Sequence, residues 1–100
     1  MKLGFIGFGV AAYGLSKGLK DAGIEKICFF DSNYSSPSFH EVFEKRVAET
    51  GAMPCESLAG VIENADVIIS CVTGSVSVSV AKEASGFLGK NHIYIDVNSA

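Results

Sequence analysis

A glycine-rich turn near the start of the chain, F-I-G-F-G-V-A-A-Y-G over residues 5–14, constrains the fold more than any other segment. The run that leads into it, Leu3–Ile6, is short and apolar, as expected of a strand buried on both faces. From Val10 onward the apolar residues follow a helical period instead. A strand, a glycine turn and a helix in direct succession predict the first half of a β-α-β unit.

The helix after the turn is predicted to bury one apolar face and to end at Gly23, which can adopt the left-handed conformation. Gly14 and Gly18 inside this helix each cost about 1 kcal/mol relative to Ala. We expect that cost to be offset because the helix lies close against a sheet. The residues predicted for the apolar face are Ala11, Leu15, Gly18, Leu19 and Ala22.

Further apolar runs alternate with helical segments along the rest of the chain. A second strand over residues 27–30 ends at Asp31, and a helix follows that Ser36 or Ser38 can cap and Gly51 can end. After it, the sequence predicts a short third strand, a brief helix, the clearest buried strand of the chain and a fifth strand. Their predicted positions are residues 52–53, 56–63, 67–72 and 93–95.

The segment S-V-S-V-S-V, residues 75–80, supports two interpretations. Its strict alternation and its β-branched valines favour a strand, which a hairpin through residues 73–74 could form. Against the strand, apolar residues repeat at helical spacing and Ser75 can cap a helix. The parallel strand that follows also needs a crossover connection. The residues at helical spacing are Val76, Val80, Ala84 and Phe87. We therefore favour a helix.

This alternation of five strands with helices predicts an α/β fold of the Rossmann type. Right-handed crossovers from strand one to two and from strand one to four place helices on both faces of a doubly wound parallel sheet in the order 3-2-1-4-5. Ligands bind such sheets beyond the carboxyl ends of the strands, where the strand order reverses. That crevice lies between strands one and four.

The glycine turn opens into this crevice and has the pattern G-x-G-x-x-A. Gly7 allows the tight turn, Gly9 leaves room for a pyrophosphate against the backbone, and Ala12 lets the helix pack closely on the strand. The helix N-terminus adds unpaired N–H groups and a partial positive charge. The six residues of this dinucleotide-binding pattern are Gly7, Phe8, Gly9, Val10, Ala11 and Ala12.

Asp31 at the end of strand two completes the pattern. It follows the glycines by about 20 residues, where an acid can accept hydrogen bonds from the adenosine ribose hydroxyls. Its charge repels a 2′-phosphate and so favours NAD over NADP, although Ser32 and Asn33 could donate hydrogen bonds to that phosphate and keep NADP as the alternative. A glycine turn with a purely steric role is the competing interpretation, which the strand, helix and acid together disfavour.

Composition excludes several other classes of protein. The 100 residues, 48% of them apolar and 19% charged, fit one globular domain. The net charge of −3 and the scattered basic residues predict no nucleic-acid partner, and no run reaches the roughly 18 apolar residues of a membrane span. No secretory signal is visible, so we expect a cytoplasmic protein.

Cysteine and histidine spacing predicts no metal site. Cys28, Cys55 and Cys71 are odd in number and widely separated, which fits neither a disulfide framework nor a zinc site. His40 and His92 have no partner at metal-ligand or triad spacing. We interpret all five side chains as structural.

Four segments of the chain resemble successive landmarks of the 6-phosphogluconate dehydrogenase and β-hydroxyacid dehydrogenase superfamily. The glycine loop is most similar to that of the phosphogluconate-dehydrogenase-like branch, although Ala11 and Ala12 stand where the family usually has Met and Gly. The four segments are L-G-F-I-G-F-G-V-A-A-Y-G-L-S-K-G-L-K-D-A-G, F-F-D-S-N, A-D-V-I-I-S-C-V-T-G-S and I-Y-I-D-V-N-S-A.

The resemblance implies further cofactor contacts after strands four and five. Val72 and Thr73 would line the cofactor near its nicotinamide half, and Asn98 and Ser99 would lie in the same crevice. The chain would then be an NAD(P)-binding domain.

Members of this superfamily also carry a helical domain after the nucleotide-binding one, and their catalytic lysine lies there or in the stretch leading to it. The resemblance therefore implies that residues 1–100 are an NAD(P)-binding domain, incomplete at its C-terminal end. The helical domain, through which a homodimer would form, is absent from this chain. Lys82 and Lys90 do not match the catalytic lysine by position, so no catalytic residue is assigned.

Two classes of function follow. The first is the dinucleotide-binding part of an NAD(P)-dependent oxidoreductase that transfers hydride between a β-hydroxy acid and the nicotinamide cofactor. The second is a non-catalytic nucleotide-binding or regulatory module, because fold alone does not determine function.

Overall fold

A computed structural model describes residues 1–24 and 26–97 and shows a parallel sheet with helices on both faces. The sheet order β3-β2-β1-β4-β5, with every neighbouring pair parallel, confirms the predicted topology. The strands are β1 (Leu3–Ile6), β2 (Ile27–Phe30), β3 (Met53–Pro54), β4 (Val67–Ser70) and β5 (Ile93–Asp96). The helices are α1 (Val10–Asp21), α2 (His40–Thr50), α3 (Leu58–Glu63) and α4 (Gly74–Ser85), and a 3₁₀ turn, Pro37–Phe39, precedes α2.

The strand register places the carboxyl ends of β1, β2 and β4 at the same edge of the sheet. Ile6 at the end of β1 pairs with Phe30 of β2 on one side and with Ser70 of β4 on the other. The next residues continue the ladder, because the Gly7 N–H donates to the Phe30 carbonyl at 2.7 Å and the Cys71 N–H donates to the Ile6 carbonyl at 2.8 Å. The segments that follow β1, β2 and β4 therefore start side by side.

Two apolar cores lie on opposite faces of the sheet. One is between the sheet and helices α1 and α2, and in it the Phe8 ring stacks on the Phe29 ring with centroids 4.2 Å apart. The other is between the sheet and helices α3 and α4. The buried members of the first are Leu3, Phe5, Phe8, Ala12, Ile27, Phe29, Phe43 and Ala52, and those of the second are Ile6, Cys28, Leu58, Val61, Ile62, Ala65, Ile68 and Ala84.

Helix α1 buries a different face from the predicted one. Ala12 and Ser16 are fully buried and Leu19 packs against the same core, whereas Leu15 is 45% exposed. Of the predicted face only Leu19 is correct, since Ala11, Leu15, Gly18 and Ala22 are all exposed. The two faces differ by one residue, or about 100° around the helix. The glycine turn directs Ala12 onto the sheet and so determines which face of α1 is buried.

Close packing of a helix on the sheet occurs at Gly4 of β1, not at the glycines of α1. A Cβ added to Gly4 would lie 2.5 Å from Val61 Cγ1 and 2.9 Å from Ala65 Cβ, both at or just after α3. A Cβ at Gly14 or Gly18 would meet no heavy atom within 4 Å, so the predicted reason for these two glycines is wrong.

The segment S-V-S-V-S-V lies within α4, which confirms the helical interpretation. The predicted cap is wrong, because the N-cap residue is Thr73 and not Ser75, and the helix ends at Ser85, before Phe87. Helix α2 begins at His40 without a side-chain cap, so the predicted capping by Ser36 or Ser38 is wrong, although Gly51 ends the helix in the left-handed conformation as expected. Strand β5 leaves Ile93 and Ile95 58% and 41% exposed. Within the described ranges, no helix is both long enough and apolar enough to cross a bilayer.

The glycine positions predict opposite effects of the same substitution. Gly4→Ala should lower the free energy of unfolding by about 1–3 kcal/mol, because the new methyl group would overlap Val61 and Ala65. Gly14→Ala should raise it by about 1 kcal/mol, because its methyl group meets open space and Ala is the better helix former. Urea unfolding followed by circular dichroism measures both values. Equal effects of the two substitutions would contradict the close contact between α3 and β1.

Candidate functional site

A cleft of about 490 Å³ lies beyond the carboxyl ends of β1, β2 and β4. The glycine loop between β1 and α1 forms its floor, the loop after β2 forms one wall, and α4 forms the other. The residues that line it are Ile6, Gly7, Gly9, Phe30, Asp31, Ser32, Asn33, Leu58, Cys71, Val72, Thr73, Val76, Ser79, Val80 and Glu83.

The two glycines of the loop differ in why they must be glycine. Gly7 has φ +86°, and a Cβ there would lie 3.1 Å from the carbonyl oxygen of Cys71, so a side chain is excluded by both conformation and contact. Gly9 has φ −78°, and a Cβ there would meet no atom within 4 Å. Its missing side chain leaves space open on the cleft side, where a bound group can approach the backbone.

Helix α1 begins at this opening with its N-terminus uncapped. Gly9 is the N-cap residue and offers no side chain, and the first turn carries no acidic residue. The first helical hydrogen bond runs from the Tyr13 N–H to the Gly9 carbonyl at 3.0 Å, so the amides between them have no carbonyl partner within the helix. Such amides and the helix dipole attract an anion.

The side chain, the N–H and the carbonyl of Phe8, between the two glycines, all contact other parts of the protein. Its side chain is fully buried in the first core. Its backbone N–H donates to Asp31 Oδ2 at 2.8 Å, and its carbonyl accepts from Arg46 Nη1 at 2.9 Å. Phe8 therefore shapes the loop and presents no side chain to the cleft.

Asp31 faces the cleft in a fixed orientation. Its two carboxylate oxygens accept from different backbone amides, Oδ2 from Phe8 and Oδ1 from Asn33, each at 2.8 Å. A carboxylate oxygen has a second lone-pair direction, so both oxygens can still accept from a ligand hydroxyl. Glu83 is the other charged side chain among the described residues that line the cleft.

Seven of the predicted site residues meet in the cleft, namely Gly7, Gly9, Asp31, Ser32, Asn33, Val72 and Thr73. Four others do not line it. Phe8 and Ala12 are buried in the first core, and Val10 and Ala11 are exposed on the first turn of α1. The remaining two, Asn98 and Ser99, lie outside the described residues.

Sequence reasoning missed the contribution of α4 to the cleft. Val76, Ser79, Val80 and Glu83 occur at helical spacing and line one wall. The assignment of residues 75–80 to a helix that starts directly after β4 contained the information needed to find them, because that start lies at the crevice.

Burial keeps Cys28 and Cys71 in the thiol form. The pKa of Cys71, in the cleft wall, is raised mainly by burial and to a smaller degree by the charge of the nearby Asp96. The pKa of Cys28 is raised to about 12, mainly by burial and to a smaller degree by the neighbouring Cys55. A nucleophilic cysteine needs the opposite shift, so neither Cys71 nor Cys28 has the environment of one.

The histidines lie away from the cleft. The Nδ1 atom of His92 accepts from the Gly89 N–H at 2.8 Å, and its Nε2 lies 3.0 Å from the Ile62 carbonyl, so the ring links the start of β5 to α3. His40 is paired with Glu44 on the surface of α2. Over residues 1–24 and 26–97, no group of three or more His, Cys, Asp or Glu side chains is arranged to hold a metal ion.

Comparison with known proteins identifies related sequences and folds. A family described as NADP oxidoreductase, coenzyme F420-dependent, matches residues 2–100. A conserved hypothetical protein from Sinorhizobium meliloti 1021 has 32% identity and a TM-score of 0.86 over 98% of this chain and 32% of its own. No curated protein matches the chain in sequence.

More distant solved structures share the fold. A pyrroline-5-carboxylate reductase from Coxiella burnetii has 22% identity and a TM-score of 0.79 over 97% of this chain and 35% of its own. A prephenate dehydrogenase from A. aeolicus, in complex with hydroxyphenyl propionate and NAD+, has 21% identity and a TM-score of 0.77 over all of this chain and 34% of its own. The chain thus spans about a third of the length of these solved structures.

The loop geometry separates a folding role from a binding role for its glycines. Gly9→Val should fold with little loss of stability, because its Cβ position is open, yet should abolish dinucleotide binding by filling the space that a pyrophosphate needs. Gly7→Ala should instead lower the unfolding free energy by at least about 1–2 kcal/mol, the cost of a left-handed alanine. Calorimetric titration with NADH and thermal unfolding of both variants measure the two effects. Unchanged affinity in Gly9→Val would mean that the loop is only a turn.

Proposed function

The chain belongs to the NADP oxidoreductase, coenzyme F420-dependent, family, and from this premise we propose that it is the NAD(P)-binding part of an oxidoreductase. The proposal rests on one observation: the open N-terminus of α1 at Gly9 and the carboxylate of Asp31 lie in the same cleft. The first suits a pyrophosphate and the second suits the ribose hydroxyls of a dinucleotide.

The cleft fits the cofactor through the residues that form it. The open space above Gly9 would take the pyrophosphate, and Asp31 would accept from the adenosine ribose. Val72 and Thr73, which follow β4, would contact the half of the cofactor nearer the nicotinamide. The bound cofactor supplies hydride transfer, and the chain supplies its binding and orientation.

Charge in the cleft favours NAD over NADP. The charged side chains among its described lining residues, Asp31 and Glu83, are both acidic, and neither Lys nor Arg is among those residues. A 2′-phosphate beside Asp31 would meet repulsion with no cation in that lining to offset it. The family description names NADP, and NADP binding would require Ser32 and Asn33 to hold the phosphate by hydrogen bonds alone.

The substrate proposed for the whole protein is a β-hydroxy acid, on the resemblance of four segments to the β-hydroxyacid dehydrogenases. The catalytic groups, and the helical domain through which a homodimer would form, are proposed to lie outside this chain in a cytoplasmic protein. A screen of β-hydroxy acids with NAD and NADP on a longer protein that contains residues 1–100 tests this assignment. Oxidation of other alcohols or of amines alone, with no β-hydroxy acid turned over, would refute it.

A non-catalytic nucleotide-binding module is the second candidate. The observation that favours it is that the described residues lining the cleft include no Lys or His side chain able to transfer a proton during hydride transfer. Dinucleotide binding without turnover of any hydroxy acid or imine by the longer protein would support the module over the enzyme.

The carboxylate of Asp31 should control the choice between the two cofactors. We expect NAD to bind more tightly than NADP, and Asp31→Asn to narrow or invert the difference by about tenfold or more, since a hydrogen bond to a charged group contributes roughly 1.5–3 kcal/mol. Asparagine keeps one oxygen to accept from the Phe8 or Asn33 amide, and Asp31→Ser provides a second variant with a hydroxyl donor. Calorimetric titration with both cofactors gives the ratio of dissociation constants.

Asp21→Asn is the matched control, because Asp21 is exposed at the end of α1 and the same charge is removed there. This control should leave the ratio unchanged. A wild-type chain that prefers NADP would show that Asp31 does not select the cofactor, and Ser32 and Asn33 would then be the residues to test.

A further inference from the structure

A side chain of α2 contacts the glycine loop from outside the cleft. Arg46 Nη1 donates to the carbonyl oxygen of Phe8 at 2.9 Å, and the side chain is half-buried. Arg46 is not among the residues that line the cleft, whereas Gly9, the next residue after Phe8, is. Arg46 therefore contacts the Phe8–Gly9 peptide from outside the cleft.

Aromatic rings of both helices fix the position of this guanidinium. Its Cζ atom lies 5.5 Å from the centre of the Tyr13 ring of α1 and 5.7 Å from the centre of the Phe43 ring of α2, both within cation–π range. The Tyr13 hydroxyl in turn donates to the carboxylate of Glu49 on α2. The donor that reaches the loop is thus held by side chains of the two helices beneath it.

The geometry of the peptide unit transmits this contact to the cleft. The described residues contain no cis peptide bond, and in a trans peptide the carbonyl and the following N–H point in opposite directions. A hydrogen bond that fixes the Phe8 carbonyl toward Arg46 therefore fixes the Gly9 N–H away from Arg46, and Gly9 itself lines the cleft. Since glycines flank Phe8 and allow the peptide to rotate, this orientation needs to be held.

The positive charge of Arg46 also acts through the same peptide. A hydrogen bond from a guanidinium is charge-assisted, and it polarises the amide so that its N–H becomes a stronger donor. The Phe8 N–H on the other side of the residue is held by Asp31. With these two contacts in place, the Gly9 N–H joins the unpaired amides of the first turn of α1 as a donor to the space where a pyrophosphate would lie.

We propose that Arg46 is a positioning residue for dinucleotide binding, which orients and polarises the Gly9 N–H through the Phe8 carbonyl without contacting the ligand. This inference rests on the proposed function, because it assigns Arg46 a role at the same site. The competing role is purely structural, in which Arg46 only joins α2 to the loop and contributes to stability.

The test compares ligand binding with stability in three variants. Arg46→Met removes the donor and keeps the length of the side chain, Arg46→Lys keeps a charged donor, and Lys45→Met removes the same charge from the exposed neighbouring position of α2. Titration with NADH gives the dissociation constant, and thermal unfolding gives the stability. NMR titrations with NADH and with adenosine, which lacks the pyrophosphate, follow the chemical shifts of the backbone amides, including that of Gly9.

We expect Arg46→Met to bind NADH about tenfold more weakly, as for the loss of a charge-assisted hydrogen bond, with unchanged adenosine affinity. Arg46→Lys should recover part of this loss, and Lys45→Met should bind NADH as the wild type does. The Gly9 amide should shift on NADH binding in the wild type and shift less in Arg46→Met. If Arg46→Met does not fold, Arg46→Lys carries the comparison, with a smaller loss specific to NADH.

Two outcomes would overturn the inference and are distinguishable from each other. If the Arg46 variants bind NADH with the same dissociation constant as the wild type, even though their stability is reduced, Arg46 is only structural. A wild-type chain that binds neither NADH nor NADPH would refute the proposed function and this inference with it.

Discussion

The conformation of one residue, Phe8, determines the geometry of the cleft. Its ring is stacked on Phe29 in the core between the sheet and α1, so the loop cannot move as a unit without opening that core. Its N–H donates to Asp31, which directly follows β2, and its carbonyl accepts from Arg46, which lies within α2. A loop between two glycines would otherwise have many accessible conformations, and these contacts select one of them.

Sequence patterns predicted the topology because each pattern depends on nearby residues. The apolar runs, the helical periods and the glycine turn gave the five-stranded order, and the position of Asp31 after β2 placed an acid in the cleft. Residues 75–80 could be assigned to a helix because the topological need for a crossover outweighed their β-like alternation. Here a rule about the whole sheet corrected a local propensity.

The face of α1 could not be predicted from hydrophobicity. Leu15 is large and apolar, yet it is exposed, whereas Ser16, the next residue, is smaller and polar and is fully buried. The turn that precedes the helix fixes which side meets the sheet, and it favours Ala12, the last small residue of the glycine pattern. The contact between Arg46 and Phe8 was also beyond prediction, because it joins residues 38 apart in sequence that only the packing of α2 beside α1 brings together.

The arrangement around the loop separates affinity for a pyrophosphate from affinity for a 2′-phosphate. A cation inside the cleft would attract both groups, whereas Arg46 is bonded to the Phe8 carbonyl and is not among the residues that line the cleft. Asp31 then stands beside the proposed ribose position with no neighbouring Lys or Arg in the described lining. On the proposed function, the backbone amides bind the pyrophosphate and the carboxylate selects the ribose, so each task can change by substitution without loss of the other.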